Sequence, residues 1–342
     1  MKLISSKVSI SVIIPVHNGG EPFRQCLSSL AQAAPYPDEV IVVANGDTDG
    51  SRYLAEEFGA KVIRVPKAIG PAEARNLGAQ AATSDILFFV DADVAICPET
   101  VGQVAIAFEQ EPDVAALMGS YDDAPGASNF LSQYKNLFHH YTHQQAAEDA
   151  STFWGACGAI RSDIFKEMGG FNESYRLPCV EDIELGYRLK QSGYKIRLHK
   201  DLQVKHLKRW GVISLLRADF FYRAIPWTAL ILRNNQLKND LNLQWSSRIS
   251  VVLVYALLGA LVAAWWWSVT LVAASIFILA LLAINWSVYQ FFQNKRGIIF
   301  AIQTIPWHWL YYFYSGIAFA IGMIRHLFSP APKNSESVLE NV

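Results

Sequence analysis

Along residues 1–210, short apolar runs alternate with longer segments in which apolar residues recur at helical spacing. The short runs predict buried strands, and the amphipathic segments between them predict helices. The predicted strands are Val8–Val16, Glu39–Ala44, Lys61–Val65 and Ile86–Val90, and the first predicted helices are Glu21–Ala34 and Ser51–Phe58. Strand and helix in regular alternation predict an α/β domain with a mostly parallel, Rossmann-like sheet covered by helices on both faces.

From Gly211 onward the apolar segments become longer. Up to Arg233 the apolar residues keep helical spacing, and Arg217 and Arg223 lie on either side of their stripe. This pattern predicts a helix that lies in a membrane interface, with a stripe packed on the α/β domain as the alternative. Residues 211–247 are therefore predicted to be an amphipathic helix and a linker.

Two uncharged runs follow, Ile249–Trp267 and Val269–Tyr289, and each has about the ~20 residues needed to cross ~30 Å of hydrocarbon. Trp265–Trp267, between them, fits the aromatic belt of a membrane surface. A third run, Ile298–Ile324, is interrupted by Pro306, so it is either one kinked span or a surface helix followed by a shorter span, and we favour the second.

These runs predict an all-α membrane region of about three helices at residues 248–328, followed by a disordered tail at 329–342 that is rich in Pro, Ser and Asn. Arg248 precedes the first run and Lys295–Arg296 follow the second, which places both of these ends in the cytosol. We expect an integral membrane protein of a bacterial-type inner or plasma membrane.

Composition narrows the partners and the compartment. The 342 residues carry a formal charge of −1 without a long basic tract, so no nucleic-acid partner is expected. The four cysteines form no Cys-x-x-Cys pair, which is typical of a reduced compartment and argues against a zinc or disulfide framework. The apolar stretch Val8–Val16 is short and lacks a cleavage pattern, so we expect no signal peptide and a cytosolic α/β domain.

The first candidate site is the end of the strand Ile86–Val90, where Asp91 and Asp93 follow one residue apart. Open α/β sheets bind ligands at the carboxyl ends of their strands. Two carboxylates at this spacing point the same way, so they can share a cation or divide a ribose hydroxyl and a cation between them. The alternative is a solvated turn after a strand.

A second acidic pair, Glu181 and Asp182, precedes a predicted helix at Ile183–Gln191. A helix N-terminus favours ionised carboxylates, and an ionised carboxylate can accept the proton of an attacking hydroxyl. Helix capping alone is the competing explanation for acidic residues at this position.

In this arrangement the chain resembles the catalytic domain of glycosyltransferase family 2 over about residues 8–210. The matching motifs are Ser11–Asn18, Gly46–Ser51, Ala74–Gly78, Asp91-Ala92-Asp93, Gly169–Glu173 and Glu181–Leu185. The resemblance implies a GT-A fold and inverting transfer of a sugar from a nucleotide-diphospho-sugar donor. It also implies that Asp182 is the catalytic base and that Glu181 orients it or meets the acceptor.

The resemblance also implies a divalent cation, Mg²⁺ or Mn²⁺. In several family members a histidine at the position of His206 completes a metal shell, so the predicted ligands are Asp91, Asp93 and His206. Arg209 followed by Trp210 resembles the end of the Gln-x-x-Arg-Trp motif of polymerising members. Arg209 then neutralises the leaving diphosphate and Trp210 stacks on an acceptor sugar, unless the pair is a membrane-proximal anchor.

The nucleotide is expected at the ends of the first two strands, against Pro15, His17, Asn18 and Asn45. The family usually has a carboxylate pair at the positions of Ala44 and Asn45, and its first member accepts the uracil N3–H bond. An Asn oxygen can accept the same bond without the added strength of charge.

Two further features of the sequence have competing explanations. Arg75 is expected to meet the nucleotide or a phosphate, and the alternative is a surface arginine on an exposed helix face. His139, His140 and His143 lie at helical spacing on the predicted helix Phe130–Ala147. No carboxylate or cysteine nearby completes a tetrahedral set, so we expect a polar helix face without a catalytic role.

The sequence therefore predicts a membrane-anchored inverting glycosyltransferase that acts on a lipid-linked or glycan acceptor at the cytosolic membrane face. A polyprenyl-phosphate glycosyl synthase and a processive polysaccharide synthase are alternatives within the same chemistry. A non-catalytic membrane scaffold that binds nucleotide sugars is an alternative of another class, which Ala44 favours and the three acidic residues Asp91, Asp93 and Asp182 oppose. A nucleotidyltransferase is disfavoured because Asn18–Glu21 lacks the cation of a triphosphate loop.

Overall fold

The computed structural model describes residues 8–234 and 239–328. These divide into two compact units, one that ends at Gly211 and one that begins at Val212. The predicted disordered tail, residues 329–342, lies outside the described residues.

The first unit is built on one eight-stranded sheet with the strand order β3-β2-β1-β4-β7-β6-β8-β5. The strands are β1 Ile10–Val16, β2 Glu39–Asn45, β3 Lys61–Val65, β4 Ile86–Val90, β5 Val94–Ala95, β6 Val114–Tyr121, β7 Cys157–Arg161 and β8 Lys195–His206. Strands β1 to β4 pair in parallel, as does β6 with β8, whereas β7 is antiparallel to both of its neighbours. The prediction of a mostly parallel α/β sheet is confirmed.

Seven helices accompany this sheet within the described part of the first unit. They are α1 Gly20–Leu30, α2 Ser51–Phe58, α3 Pro71–Ala81, α4 Thr100–Gln110, α5 Phe130–Gln145, α6 Ser162–Glu167 and α7 Glu181–Gln191. Every residue of β4 is buried, because the sheet is covered on both faces. Helix α3 begins with Pro71, where the missing N–H would have had no partner within the helix.

The second unit is helical throughout its described residues, apart from short connections. Its elements are α8 Val212–Arg217, a π-helical segment Ala218–Ala224, α9 Ile225–Asn234, a 3₁₀ turn Leu241–Leu243, α10 Trp245–Ala263, α11 Thr270–Ile284, α12 Trp286–Arg296 and α13 Ile298–Phe328. The first three elements run on without a gap, so Val212–Asn234 is helical over the expected length, and its place in a membrane interface stays a prediction.

The expected break at Pro306 is wrong, since α13 is one helix of 31 residues with this proline inside it. A proline removes one backbone hydrogen bond but does not end a helix whose two halves are both held by neighbours. Among the described residues, Trp245–Ala263 is the one helix long and apolar enough to cross a membrane. Helices α11 and α12, bent by 60° at their junction, would add a second span only if counted together.

Candidate active site

Strand β4 delivers Asp91 to the carboxyl edge of the sheet, where it meets Arg75 from α3. The Arg75 Nη2 atom donates to Asp91 Oδ1 at 2.7 Å. The Asp91 backbone N–H also donates to the Ala156 carbonyl at 3.3 Å, which continues the pairing of β4 with β7. One carboxylate oxygen of the predicted Asp-x-Asp motif is therefore already bound to a cation of the protein itself.

Arg75 is only 6% exposed, so the alternative of a surface arginine is wrong. Its Nη1 atom donates to Glu181 Oε1 at 2.8 Å, and its guanidinium lies 5.6 Å from the centre of the Phe171 ring. Burial alone would lower the pKa of this guanidinium, but the charges of Asp91 and Glu181 raise the pKa above its ordinary value. Arg75 therefore stays charged between two carboxylates.

Gly155 leaves the space that the buried guanidinium needs. A Cβ atom at this position would lie 3.3 Å from Arg75 Cζ, closer than side chains normally approach. The Gly155 N–H donates to Asp182 Oδ2 at 3.0 Å. The same backbone position thus packs on Arg75 and holds Asp182, a function that the sequence did not indicate beyond the run of small residues.

Glu181 and Asp182 lie in the first turn of α7, which begins two residues earlier than expected. Glu181 Oε2 accepts from the Cys179 N–H at 2.9 Å, and Asp182 Oδ1 accepts from the Ile183 N–H at 2.8 Å. Burial, followed by the charge of Glu181, raises the pKa of Asp182 to about 6. A carboxyl group with that pKa is suited to accept a proton near neutral pH.

Asp93 and His206 are brought together by the short antiparallel pairing of β5 with β8. Val94 is opposite His206, and the Leu207 N–H donates to the Asp93 carbonyl at 2.8 Å. His206 Nε2 lies 3.8 Å from Asp93 Oδ2, and the ring stacks on Tyr121 with centroids 4.3 Å apart. Burial raises the pKa of the Asp93 carboxyl. A cation near this carboxyl would oppose that shift.

The two side chains match the donor set expected for a divalent cation that also binds a diphosphate. Mg²⁺ is usually held by one or two carboxylates together with phosphates and water, and imidazole suits Mn²⁺. Among residues 8–234 and 239–328, no group of three or more His, Cys, Asp or Glu side chains forms a complete protein cage. Asp93 and His206 therefore fit a partial shell, while Asp91 has one oxygen committed to Arg75.

The predicted nucleotide residues meet at the ends of β1 and β2. His17 Nδ1 is 2.7 Å from the Asn45 carbonyl oxygen, and Asn18, at a φ of 52°, accepts from the Thr48 N–H at 2.8 Å. Pro15 lies one residue before the end of β1, next to Val43 of β2. The two strand exits thus form one continuous polar edge.

Asn45 is buried, and its amide bonds on both sides to the backbone of Ile69. Asn45 Nδ2 donates to the Ile69 carbonyl and the Ile69 N–H donates to Asn45 Oδ1, both at 2.8 Å. These two hydrogen bonds resemble those between paired strands, and they fix the loop after β3. Both polar atoms of the Asn45 side chain are therefore engaged in holding this loop.

Arg209 and Trp210 have different surroundings. Arg209 is exposed at the surface of the first unit, whereas Trp210 is 5% exposed. The backbone N–H of Trp210 donates to Ser132 Oγ at 2.7 Å, and its backbone carbonyl accepts from Asn129 Nδ2 at 2.8 Å. A buried indole offers no face to an acceptor sugar or to lipid, so both expectations for Trp210 are wrong; its apolar ring is instead part of the domain interior.

The histidines of α5 do not form an exposed polar face, because His140 and His143 are buried. The Nδ1 atom of His140 lies 2.7 Å from the Tyr121 carbonyl, and that of His143 lies 3.2 Å from the Gly119 carbonyl. Burial lowers the pKa of His143 to about 4, so its ring is neutral and donates to β6. These contacts fix the strand end whose Tyr121 ring supports His206.

Comparisons with known proteins show that this chain is similar to sugar-transferring enzymes. The model of the family described as glycosyl transferase family 2 matches residues 11–169. The O-antigen chain rhamnosyltransferase RfbN of Salmonella typhimurium is 25% identical over 64% of this chain and 74% of its own length. The pre-mycofactocin glycosyltransferase of Mycobacterium tuberculosis is 25% identical over 62% of this chain, which spans 46% of that relative.

Two solved structures share the fold. The mannosyltransferase PcManGT of Pyrobaculum calidifontis, in complex with GDP-Man and Mn²⁺, has a TM-score of 0.60 at 18% identity, covering 92% of this chain and 88% of its own. S. aureus TarS 1–349, in complex with UDP-GlcNAc, has a TM-score of 0.51 at 20% identity, covering 65% of each chain. At these identities the likeness describes the arrangement of the chain and not its substrates.

Proposed function

Because this chain belongs to glycosyltransferase family 2 and is a glycosyltransferase with a nucleotide-sugar donor, we propose that it is a membrane-anchored, inverting enzyme. It transfers a sugar to a hydroxyl of a lipid-linked or glycan acceptor at the cytosolic membrane face. The observation that carries this proposal is the buried Arg75, which links Asp91 to the pair Glu181–Asp182.

In this proposal the residues on either side of Arg75 have separate tasks. Pro15, His17, Asn18 and the backbone around Asn45 receive the nucleoside. Asp91 meets the donor beyond the nucleoside, and the exposed Arg209 adds a positive charge there. Asp182, held by the Gly155 and Ile183 N–H groups, faces the acceptor. Glu181 keeps Arg75 and the first turn of α7 in place.

The reaction is a single displacement at the anomeric carbon. The acceptor oxygen forms the new bond, its proton passes to Asp182, and the bond to the diphosphate breaks with its electron pair remaining on the diphosphate. Attack from the face opposite the leaving group inverts the anomeric centre. A group with a pKa of about 6 takes up this proton more effectively than a carboxylate with an ordinary value, because it is the stronger base.

Asp93 and His206 are the residues that would hold a divalent cation. When bound, Mg²⁺ or Mn²⁺ supplies positive charge that neutralises the departing diphosphate. Two observations support a cation at this place: the Mn²⁺ in the PcManGT complex, and the 3.8 Å between His206 Nε2 and Asp93 Oδ2. Asp93 and His206 also join β5 to β8, so they orient this edge of the site through their backbone pairing.

The chemistry of the base and the second unit both bear on the identity of the acceptor. An acceptor phosphate is already an anion and needs no base, so the environment of Asp182 favours a hydroxyl acceptor over a polyprenyl phosphate. The apolar helix Trp245–Ala263 and the O-antigen relative RfbN support an acceptor linked to a membrane lipid. Such an enzyme acts from the cytosolic side of a bacterial-type inner membrane.

Asp182→Asn tests the assignment of the base. Its matched control is Asp163→Asn, because Asp163 also lies in the first turn of a helix and accepts from the next N–H at 2.8 Å, but at an exposed position. Binding of UDP-GlcNAc and GDP-mannose is measured calorimetrically with Mn²⁺, and release of nucleoside diphosphate is measured with membrane lipid extract as acceptor. We expect Asp182→Asn to slow release by about a hundredfold or more with donor affinity retained.

Equal activity of the two variants would reduce Asp182 to a helix cap. Loss of donor binding together with turnover in Asp182→Asn would place this residue on the nucleotide side. Donor binding by the wild type without any release would favour the binding scaffold.

A further inference from the structure

The first half of α13 runs antiparallel to α12. The rings of Phe292 and Phe300 lie 5.9 Å apart, and those of Tyr289 and His308 lie 5.8 Å apart. Residue numbers rise along one helix as they fall along the other, so the chain turns back at Gly297, which adopts a φ of 87°. The first half of α13 therefore has the same relation to a bilayer as α12.

The second half of α13 runs parallel to the helix that begins the second unit. Tyr314 Oη donates to Asp219 Oδ2 at 2.7 Å. Further along both helices, a Cβ atom at Gly322 would come within 2.4 Å of the Thr228 methyl group. Two contacts separated by about the same number of residues on each helix define a parallel pair. This half of α13 therefore follows the segment Ala218–Asn234.

Helix α13 also packs on α10, where Tyr255 Oη donates to the Phe313 carbonyl at 2.7 Å. Of its other two partners, neither is built to cross hydrocarbon. Helix α12 has 11 residues, about 16 Å at 1.5 Å per residue, and it ends in Lys295–Arg296. The other partner carries Arg217, Asp219, Arg223 and Arg233 along its length. Charged side chains in the middle of a bilayer are strongly disfavoured, whereas arginines beside an apolar stripe suit its surface.

The hairpin of α10 and α11 has the opposite character. Thr270 Oγ1 donates to the Ala260 carbonyl at 3.0 Å near the tip, and Asn285 Nδ2 donates to Ser250 Oγ at 3.0 Å near the base. Helix α10 has 19 residues, about 28 Å, which matches the ~30 Å of hydrocarbon, and α11, with 15 residues or about 22 Å, covers most of that distance on the way back. At the tip, Trp265 is 88% exposed, as expected of an indole at a membrane surface.

A hydrogen-bonded chain shows at which end of the hairpin α13 lies. Tyr312 Oη, in the middle of α13, donates to Asn285 Oδ1 at 2.7 Å, and the Asn285 amide donates to Ser250. Ser250 lies in the second turn of α10, close to the end at which this helix enters. Tyr255, further along α10, donates to the Phe313 carbonyl at 2.7 Å. The middle of α13 is therefore level with the first half of α10, between Ser250 and Tyr255, and not with the tryptophan tip of the hairpin.

We propose that the α10–α11 hairpin is the only part of the described second unit that crosses the bilayer, and that α12 and α13 lie against the cytosolic leaflet beside the helix Val212–Asn234. The partner of this helical face is an anionic phospholipid surface. Arg325, near the end of α13, then lies on the same side as Arg248 and Lys295–Arg296, as expected for cationic residues next to a cytosolic leaflet. This inference rests on the proposed membrane anchoring and replaces the third span expected from the sequence.

Labelling of single cysteines tests the inference on the full chain in sealed membrane vesicles. The background carries Cys97→Ser and Cys179→Ser, because the other two cysteines are buried. Ser268→Cys reports the hairpin tip, and Ser335→Cys reports the tail beyond the described residues. A membrane-impermeant maleimide is added to inside-out and right-side-out vesicles, and wild-type Cys97, which is exposed in the first unit, marks the cytosolic side.

We expect the maleimide to label Ser335→Cys from the cytosolic side, the side from which it labels Cys97. We expect it to label Ser268→Cys from the opposite side. Reaction of Ser335→Cys from the opposite side would show that α13 crosses and would overturn the inference. Reaction of Ser268→Cys from the cytosolic side would show that the hairpin does not cross and would overturn it as well.

The failure of the proposed function has a different signature. Release of the wild-type protein from membranes by carbonate would refute the anchoring and, with it, the inference. Equal turnover of Asp182→Asn and wild type, with the expected labelling pattern, would refute the assigned chemistry and leave the arrangement of the second unit in place.

Discussion

Arg75 Nη1 lies 2.8 Å from Glu181 Oε1, and this contact joins residues that are 106 positions apart in the chain. The same guanidinium bonds to Asp91, so one buried cation holds the end of β4 and the start of α7 at a fixed separation. In a single displacement the leaving diphosphate and the attacking hydroxyl, with its base, must lie on opposite faces of the anomeric carbon. A rigid bridge between the two sides is a direct way to maintain that geometry.

Arg75→Lys should therefore reduce turnover more than it weakens donor binding. A lysine keeps the charge but has a single nitrogen, which cannot bond to both carboxylates with the geometry of a planar fork. We expect kcat to fall by about tenfold to a hundredfold with a smaller change in KM for the donor. Arg24→Lys is the control, because Arg24 pairs with Glu21 at an exposed site.

Arg75→Met should in addition destabilise the first unit. Removing one member of a buried ion pair costs about 3–5 kcal/mol, and here the Glu181 carboxylate would stay buried without its partner. Urea unfolding of the purified protein measures this loss. Unchanged stability and unchanged kcat would show that the bridge has no role in either folding or catalysis.

Replacement of His206 should change how much cation the enzyme needs. In His206→Gln we expect half-maximal activity to require at least tenfold more Mn²⁺, because one of the two protein donors is weakened. Asp93→Asn should lose most of the turnover at any Mn²⁺ concentration. His199→Gln is a matched control on the same strand, since His199 lies near Glu111 and away from Asp93.

Titration of activity with Mn²⁺ in the presence of a chelator provides the measurement. Full activity of Asp93→Asn in excess chelator would contradict a cation at this site. An identical Mn²⁺ requirement in wild type and His206→Gln would remove His206 from the set of ligands.

The pH dependence of kcat/KM should reflect Asp182. Because burial and Glu181 raise the pKa of this carboxyl to about 6, it is protonated below that pH and cannot accept the acceptor proton. We expect kcat/KM to fall tenfold for each pH unit below about 6 and to level off above about 7. In Glu181→Gln the acid limb should move to lower pH, since a neighbouring negative charge is removed. A profile that is flat from pH 5 to pH 8 would exclude Asp182 as the base.

The sequence predicted the elements that carry strong periodic patterns. The strand Ile86–Val90 and the helix Ser51–Phe58 have the predicted bounds in the structure. Their signals are local, because a fully apolar run and a polar loop before a helix each report on neighbouring residues. The convergence of strand exits at one edge follows from the parallel order of the sheet, so the meeting of His17 with Asn45 was also within reach.

Tertiary contacts were harder to predict from a single sequence. Nothing local to α3 shows that Arg75 is buried, since its partners are far away in the chain. Trp210 and His140 could be read as exposed groups because their hydrogen-bond partners come from other elements. The proline in α13 looked like a break because local rules do not include the helices that hold both of its halves.

The close packing of α13 on α9 gives a prediction that separates packing from helix propensity. Alanine is favoured over glycine in a helix by about 1 kcal/mol, so Gly259→Ala, which would meet no atom within 4 Å, should raise stability in detergent slightly. Gly322→Ala has the same propensity gain, but its methyl would lie 2.4 Å from Thr228. Overpacking of this kind costs about 1–3 kcal/mol, so Gly322→Ala should lower the thermal midpoint relative to Gly259→Ala.

The double variant with Thr228→Ser, which removes the methyl group, should recover part of the loss. If both glycine variants gain the same stability, α13 does not pack on α9 at Thr228, and the parallel pairing inferred for the second half of α13 is wrong.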